Sequence, residues 1–147
     1  MRRRKGAPWF QDVVQRRRFE GGARDAYEIQ TNSTGRRTRD CVTYKVKVPV
    51  PEYETRTITI TLSNTFTKIL DSVIADGPVE SPHRFDEHRL CIWYPSDPPE
   101  LRWVASDGLL KLITHARVHL FKEAYWRETG EWLGPEAPHR PNSKEDA

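Results

Sequence analysis

No apolar run in this chain approaches the roughly 20 residues that a membrane-crossing helix needs, so a membrane is not an expected partner. The basic start Met1-Arg2-Arg3-Arg4-Lys5 is not followed by the apolar core of an export signal. The expected compartment is therefore cytoplasmic. Cysteine is scarce, with only Cys41 and Cys91. A lone disulfide does not suit a chain without an export signal. No Cys-x-x-Cys pair is present to begin a zinc site, and no metal or cofactor is expected. Base-stacking and groove-reading motifs are also missing, which argues against a nucleic-acid partner. Internal repeats are absent.

What is present suits one soluble domain. The chain has 147 residues, enough to bury a core without staples, with 31% charged and 36% hydrophobic residues. The net charge is +3, and Arg2, Arg3, Arg4, Lys5, Arg16, Arg17, Arg18, Arg24, Arg36, Arg37 and Arg39 all lie near the N-terminus. Such a cluster suits an acidic partner, or else a solvated face with a mobile terminus, and the second reading is the simpler one. Residues 1–6 read as a disordered basic arm, 7–139 as a single domain and 140–147 as a disordered tail.

Apolar periodicity places the elements. Trp9, Phe10, Val13 and Val14 recur at helical spacing between Pro8 and Phe19, with Gly21-Gly22 as the stop. Ala26 to Gln30 reads as a short strand and Thr31 to Asp40 as a loop. Val42, Tyr44, Val46, Val48 and Val50 alternate with polar residues, as do Ile58, Ile60 and Leu62. The turn at Pro51 to Glu54 joins these two runs as an antiparallel hairpin. A further strand fits Ile69 to Ala75. Prolines at 82, 95, 98 and 99 then forbid long regular elements around the apolar run Leu90 to Tyr94. Ser106-Asp107 offers an N-cap to a long helix whose stripe is Leu109, Leu110, Ile113, Ala116, Leu120, Phe121, Ala124 and Tyr125. Gly130 suits its end. Trp132 and Leu133 are expected to fold the following tail back. Helix, antiparallel strands, irregular loop and long helix in this order mean α+β.

Three groups of residues could carry chemistry. Cys91 has His83 eight positions before it and Arg84 and Arg89 nearby, a setting that could support a nucleophilic thiolate. Its neighbours Leu90 and Ile92 equally suit a small buried hydrophobe. His115, His119 and Glu123 share one helix face and could seat a metal, but no further ligand is evident and a polar helix face is the simpler reading. Trp93, Trp103, Trp126 and Trp132 could line a ligand pocket or serve as core and loop anchors.

The run Ser81-Pro82-His83-Arg84-Phe85, then Leu90-Cys91-Ile92-Trp93-Tyr94-Pro95, then Trp103, resembles the active-site region of bacterial ubiquitin-conjugating-like (E2-like) proteins. The tail from Trp126 to His139 is similar to the end of the branch found in antiphage operons, among them the type II short CBASS systems that signal through cyclic oligonucleotides. The resemblance covers about residues 26–139. It implies the ubiquitin-conjugating (UBC-like) α+β fold: an N-terminal helix, an antiparallel β-meander, an active-site loop and a long C-terminal crossover helix. It implies a transferase in which Cys91 forms a thioester with the C-terminal glycine of a partner protein. That partner is either the cGAS-like cyclase (CD-NTase), which transfer to an amine would prime, or a ubiquitin-like carrier, and an activating enzyme could take part. His83 is the implied companion of Cys91. Asp97, and Glu100 beside it, could orient the attacking amine and take its proton. His139 is a weaker candidate. An inert module that only holds the partner is the alternative.

Two departures from the family pattern stand out. His83-Arg84-Phe85 occupies the place of the His-Pro-Asn of eukaryotic members, so no Asn is available to steady the loop or the oxyanion. Backbone N–H groups, His83 or an arginine would have to do so. The N-terminal helix, which docks the activating enzyme in eukaryotic relatives, is reduced.

Overall fold

Strand alternation determines which face of the sheet is buried. The computed structural model describes residues 8–32, 41–64, 69–93 and 97–134. The basic arm at 1–6, the tail at 140–147 and His139 lie outside the described residues. Strands β1 (Glu28–Asn32), β2 (Cys41–Val48), β3 (Arg56–Asn64) and β4 (Ile69–Ala75) form a four-stranded antiparallel sheet in the order β1-β2-β3-β4. Val42, Tyr44 and Val46 stand opposite Leu62, Ile60 and Ile58. All six are buried, so the two apolar sets share one face. A slip by one residue would turn every one of them to solvent. β1 starts at Glu28 rather than at Ala26, because the Ala26 and Tyr27 N–H groups still donate to the Ala23 carbonyl at the preceding helix end.

That helix, α1, spans Val13–Arg24 and differs from the expected one at both ends. Asp12 starts it: its carboxylate accepts from the Val14 N–H at 2.9 Å and the Gln15 N–H at 3.3 Å. Trp9 and Phe10 precede it in a tight 3-10 turn, Trp9–Gln11, and are buried. Val13 and Val14, expected to share their face, are instead 65% and 73% exposed. The helix also runs through Gly21-Gly22. A side chain at either glycine would meet nothing within 4 Å, so each costs only its poor helix propensity, about 1 kcal/mol.

The second helix, α2, spans Leu109–Thr129. Its Leu109, Leu112, Ile113, Ala116 and Leu120 join the sheet's buried face in one core. Ser106 and Asp107 do not cap it. They belong to a 3-10 turn, Ala105–Asp107, in which the Asp107 carboxylate accepts from the Val104 N–H at 3.0 Å. Gly108 makes the entry at φ 88°, and a Cβ there would lie 2.8 Å from Cδ1 of Phe19. Gly130 ends the helix in the left-handed conformation, donating its N–H to the Trp126 carbonyl at 2.7 Å. The buried stripe is rotated from the expected one: Leu110 is 41% exposed, while Leu112, His119 and Glu123 are buried.

Between β4 and α2 the chain folds as a small irregular hairpin against the free edge of β4. Leu90 donates its N–H to the Val73 carbonyl at 2.8 Å, and Ala75 donates to His88 at 2.9 Å. Within the hairpin the Phe85 N–H donates to the Arg89 carbonyl at 3.0 Å. The whole is an α+β arrangement of an antiparallel meander and two helices, compatible with the UBC-like fold. Among the described residues, no helix is long and apolar enough to cross a membrane.

Candidate functional site

Cys91 follows the last hairpin residue bonded to β4, and its own position is fixed from the other side of the hairpin. Its N–H donates to the His83 carbonyl at 3.1 Å. The same carbonyl accepts from Nε2 of His119 on α2 at 3.1 Å. The His83 N–H donates to the Ser81 hydroxyl at 3.0 Å. The His83 ring packs against the Trp132 ring at 4.2 Å between centroids, and Trp132 also meets His119 at 5.5 Å. The tail after α2 therefore folds back over the site, as expected from Trp132.

These groups enclose a cavity of about 190 Å³. His83, Cys91 and Ile92 line it from the loop, and Trp132 from the tail. Helix α2 contributes His115, Val118, His119 and Lys122. In the sequence His115 stands out as a possible metal ligand or as part of a polar helix face, and Lys122 does not stand out. Their spacing, 115, 118–119 and 122, is the i, i+3/i+4, i+7 signature of one helix face and was the signal available.

The electrostatics of Cys91 oppose a resting thiolate. Burial, followed by the charge of Asp97, raises its thiol to about 11, with Arg89 opposing. Cys91 is 5% exposed. Asp97 is half-buried; its carbonyl accepts from Nε of Arg102 at 2.8 Å, and its charge acts on Cys91 from beyond the cavity lining. Glu100 is exposed.

The loop arginines are committed elsewhere. Arg84 donates from Nε to Oε2 of Glu123 at 2.6 Å and from Nη2 to Oε1 at 2.7 Å. The Arg89 guanidinium lies 4.6 Å over the Phe85 ring and faces a separate cavity of about 440 Å³ on the other side of the loop. The Cys91 N–H is also engaged by His83. Of the three expected oxyanion donors, the loop arginines and this N–H are therefore already engaged. Lys122 is the cation among the described residues that lines it.

The metal reading of α2 meets a different arrangement. His119 Nε2 lies 3.2 Å from Oε2 of Glu123, which Arg84 already holds, while the His115 ring is turned edge-on to Trp93. Among the described residues no group of three His, Cys, Asp or Glu side chains converges as a metal site. Trp103 is a core anchor: it is buried, and its Nε1 donates to the Gly108 carbonyl at 2.8 Å.

A family model described as Type II CBASS E2 protein matches residues 14–140. No curated protein and no solved structure matches the chain.

Proposed function

Because this chain belongs to the family of type II CBASS E2 proteins, we propose that it works as a protein-conjugating transferase through Cys91. In this reading Cys91 takes the C-terminal glycine of a partner protein as a thioester and passes it to an amine. The partner proposed is the cyclase of the same system, with a ubiquitin-like carrier as the other candidate. The observation that carries the reading is the seat of Cys91: its backbone is pinned by His83 while the residue lines a cavity with polar groups from α2. His83 positions the nucleophile through its carbonyl. Asp97, close enough for its charge to act on Cys91, draws in and orients the incoming ammonium group. Lys122 faces the developing oxyanion in place of the absent Asn.

Burial of Cys91 and its raised thiol favour a second reading, a module that holds the partner without making a bond. One experiment separates the two. Co-expression with the cyclase, followed by electrophoresis with and without reductant, should reveal a reducible adduct that Cys91→Ser abolishes or converts into a more stable ester. Adducts unchanged in Cys91→Ser, or binding with no adduct in either protein, would sink the transferase reading. Cys41→Ala should leave the adduct untouched, since Cys41 opens β2 at an exposed position.

A further inference from the structure

A thioester at Cys91 poses a proton problem at its own sulfur. Aminolysis forms a C–N bond, breaks the C–S bond and expels the sulfur as a thiolate. The attacking nitrogen must also lose a proton. A thiol held near 11 makes that thiolate a poor leaving group unless the sulfur is protonated as it departs. The site therefore needs one group that can accept a proton from nitrogen and return it to sulfur.

The imidazoles lining the cavity are not equivalent. His119 directs Nε2 to the His83 carbonyl and to Glu123. His83 has its ring against Trp132. His115 shares the wall with Cys91 and has its ring edge-on to Trp93, 5.9 Å between centroids. Burial lowers the His115 imidazole below its ordinary value, and Lys111 lowers it further, while Asp107 opposes. Lys122, two turns further along α2, adds another positive charge to the same cavity; Cys91, His83 and His119 are its remaining titratable neighbours there. His115 is thus kept neutral at physiological pH, with a ring lone pair available as a base.

We propose that His115 is the proton shuttle of the Cys91 reaction, a catalytic role carried by α2 rather than by the loop. The His115 ring takes the proton from the attacking amine as the C–N bond forms. It then delivers that proton to Sγ as the C–S bond breaks, leaving an amide, a neutral thiol and a neutral imidazole. This rests on the transferase reading above. Asp97 does not line the cavity, so its part remains the orientation of the amine.

The test uses the full chain, loaded with a glycine-ended peptide supplied as its mercaptoethanesulfonate thioester, with free lysine as the amine. Intact mass follows acylation of Cys91 and then release of the amide across the neutral range. Loading, which also needs the Sγ proton moved, is driven to completion before lysine is added; His115→Gln should then release the amide about 100-fold more slowly near neutral pH. The deficit should shrink as pH rises and hydroxide takes the nitrogen's proton in place of the imidazole. Added imidazole should restore His115→Ala. An unchanged profile, or a loss equal at every pH and not restored by imidazole, overturns the shuttle while leaving the thioester reading standing. Failure of the wild type to load at Cys91 overturns both. Melting curves of the two variants keep a folding defect from passing as a chemical one.

Discussion

Arg84 and Glu123 form a two-pronged ion pair, 2.6 Å and 2.7 Å long, between the turn that precedes Cys91 and the middle of α2. Both side chains are buried, at 5% and 0% exposure. Arg84 also donates from Nη1 to the Glu87 carbonyl and from Nη2 to the Pro78 carbonyl. It therefore ties the hairpin, the loop after β4 and the helix together. The side chain next to His83 thus supports the loop through an ion pair to α2.

Acid should release this tie. Burial pushes the Glu123 carboxyl up, but hydrogen bonds from Arg84 and His119 and their charges outweigh it and hold it at about 2. A depressed carboxyl contributes stability that is complete above its ordinary value of 4.5 and is lost as pH falls towards 2. The loss expected over that window is roughly 3 kcal/mol. Glu123→Gln should lose a similar amount at neutral pH, about 3 kcal/mol, because it leaves Arg84 buried without its charge partner. It should also flatten the acid limb. Urea unfolding at a series of pH values measures both, and an acid limb unchanged by the substitution would count against the tie.

Asp97 should control how readily Cys91 reacts. Its charge raises the thiol, so Asp97→Asn should lower it and speed alkylation by iodoacetamide. Arg89 acts in the opposite sense, so Arg89→Gln should slow it. In a Cys41→Ala background the rate should climb about tenfold per pH unit until the thiol titrates near 11. Intact-mass kinetics read the rate directly. Equal rates for wild type and Asp97→Asn would remove Asp97 from the electrostatics of the site.

The sequence carried the sheet and the long helix because period two and period 3.6 are local patterns. The Val42 to Val48 alternation and the stop at Gly130 needed no distant partner. The first helix was harder. Pro8 and Asp12 are both start signals, and only the burial of Trp9 and Phe10 in a separate turn decides for Asp12. Leu110 and Leu112 are two residues apart, so periodicity alone cannot tell which belongs to the stripe; packing against the sheet selects Leu112. The Cys91–His83 proximity follows from the loop motif, whereas Arg84–Glu123 joins residues 39 apart that no local rule connects. His115 was legible as a residue of the polar face but not as a neighbour of Cys91, because that proximity depends on how α2 packs.

Tyr44 should stabilise the fold at neutral pH but not in strong alkali. Its hydroxyl donates to Oε2 of Glu20 at 2.6 Å, and Nε of Arg16 donates to the same oxygen at 2.6 Å. Burial, then the bond to Glu20 and its charge, raise the phenol well above its ordinary value. A raised phenol contributes stability that is present below the ordinary 10.0 and is lost as pH climbs beyond it. Tyr44→Phe should cost about 1–2 kcal/mol at neutral pH, by taking a donor from a buried carboxylate. The gap between the two proteins should narrow above that pH. Urea unfolding at neutral and strongly alkaline pH compares them; a gap that stays constant would show that the phenol proton is not what Glu20 depends on.

Trp132 should govern access to Cys91. Its ring covers His83 and His119 from the tail and forms one wall of the cavity that Cys91 lines. In the proposed function, a partner's C-terminus would meet this ring on its way to the sulfur. Trp132→Ala should therefore speed iodoacetamide alkylation of Cys91 several-fold in a Cys41→Ala background, while Trp132→Phe, which keeps an aromatic cover, should change it little. Since Trp132 is only half-buried, the alanine variant should lose no more than about 2 kcal/mol of stability. Access and electrostatics can be told apart by pH. Opening the mouth raises the rate by the same factor at every pH, whereas a shifted thiol moves the midpoint. A rate unchanged in Trp132→Ala would mean that Cys91 is shielded by the loop itself, and that the tail serves to hold His83 in place.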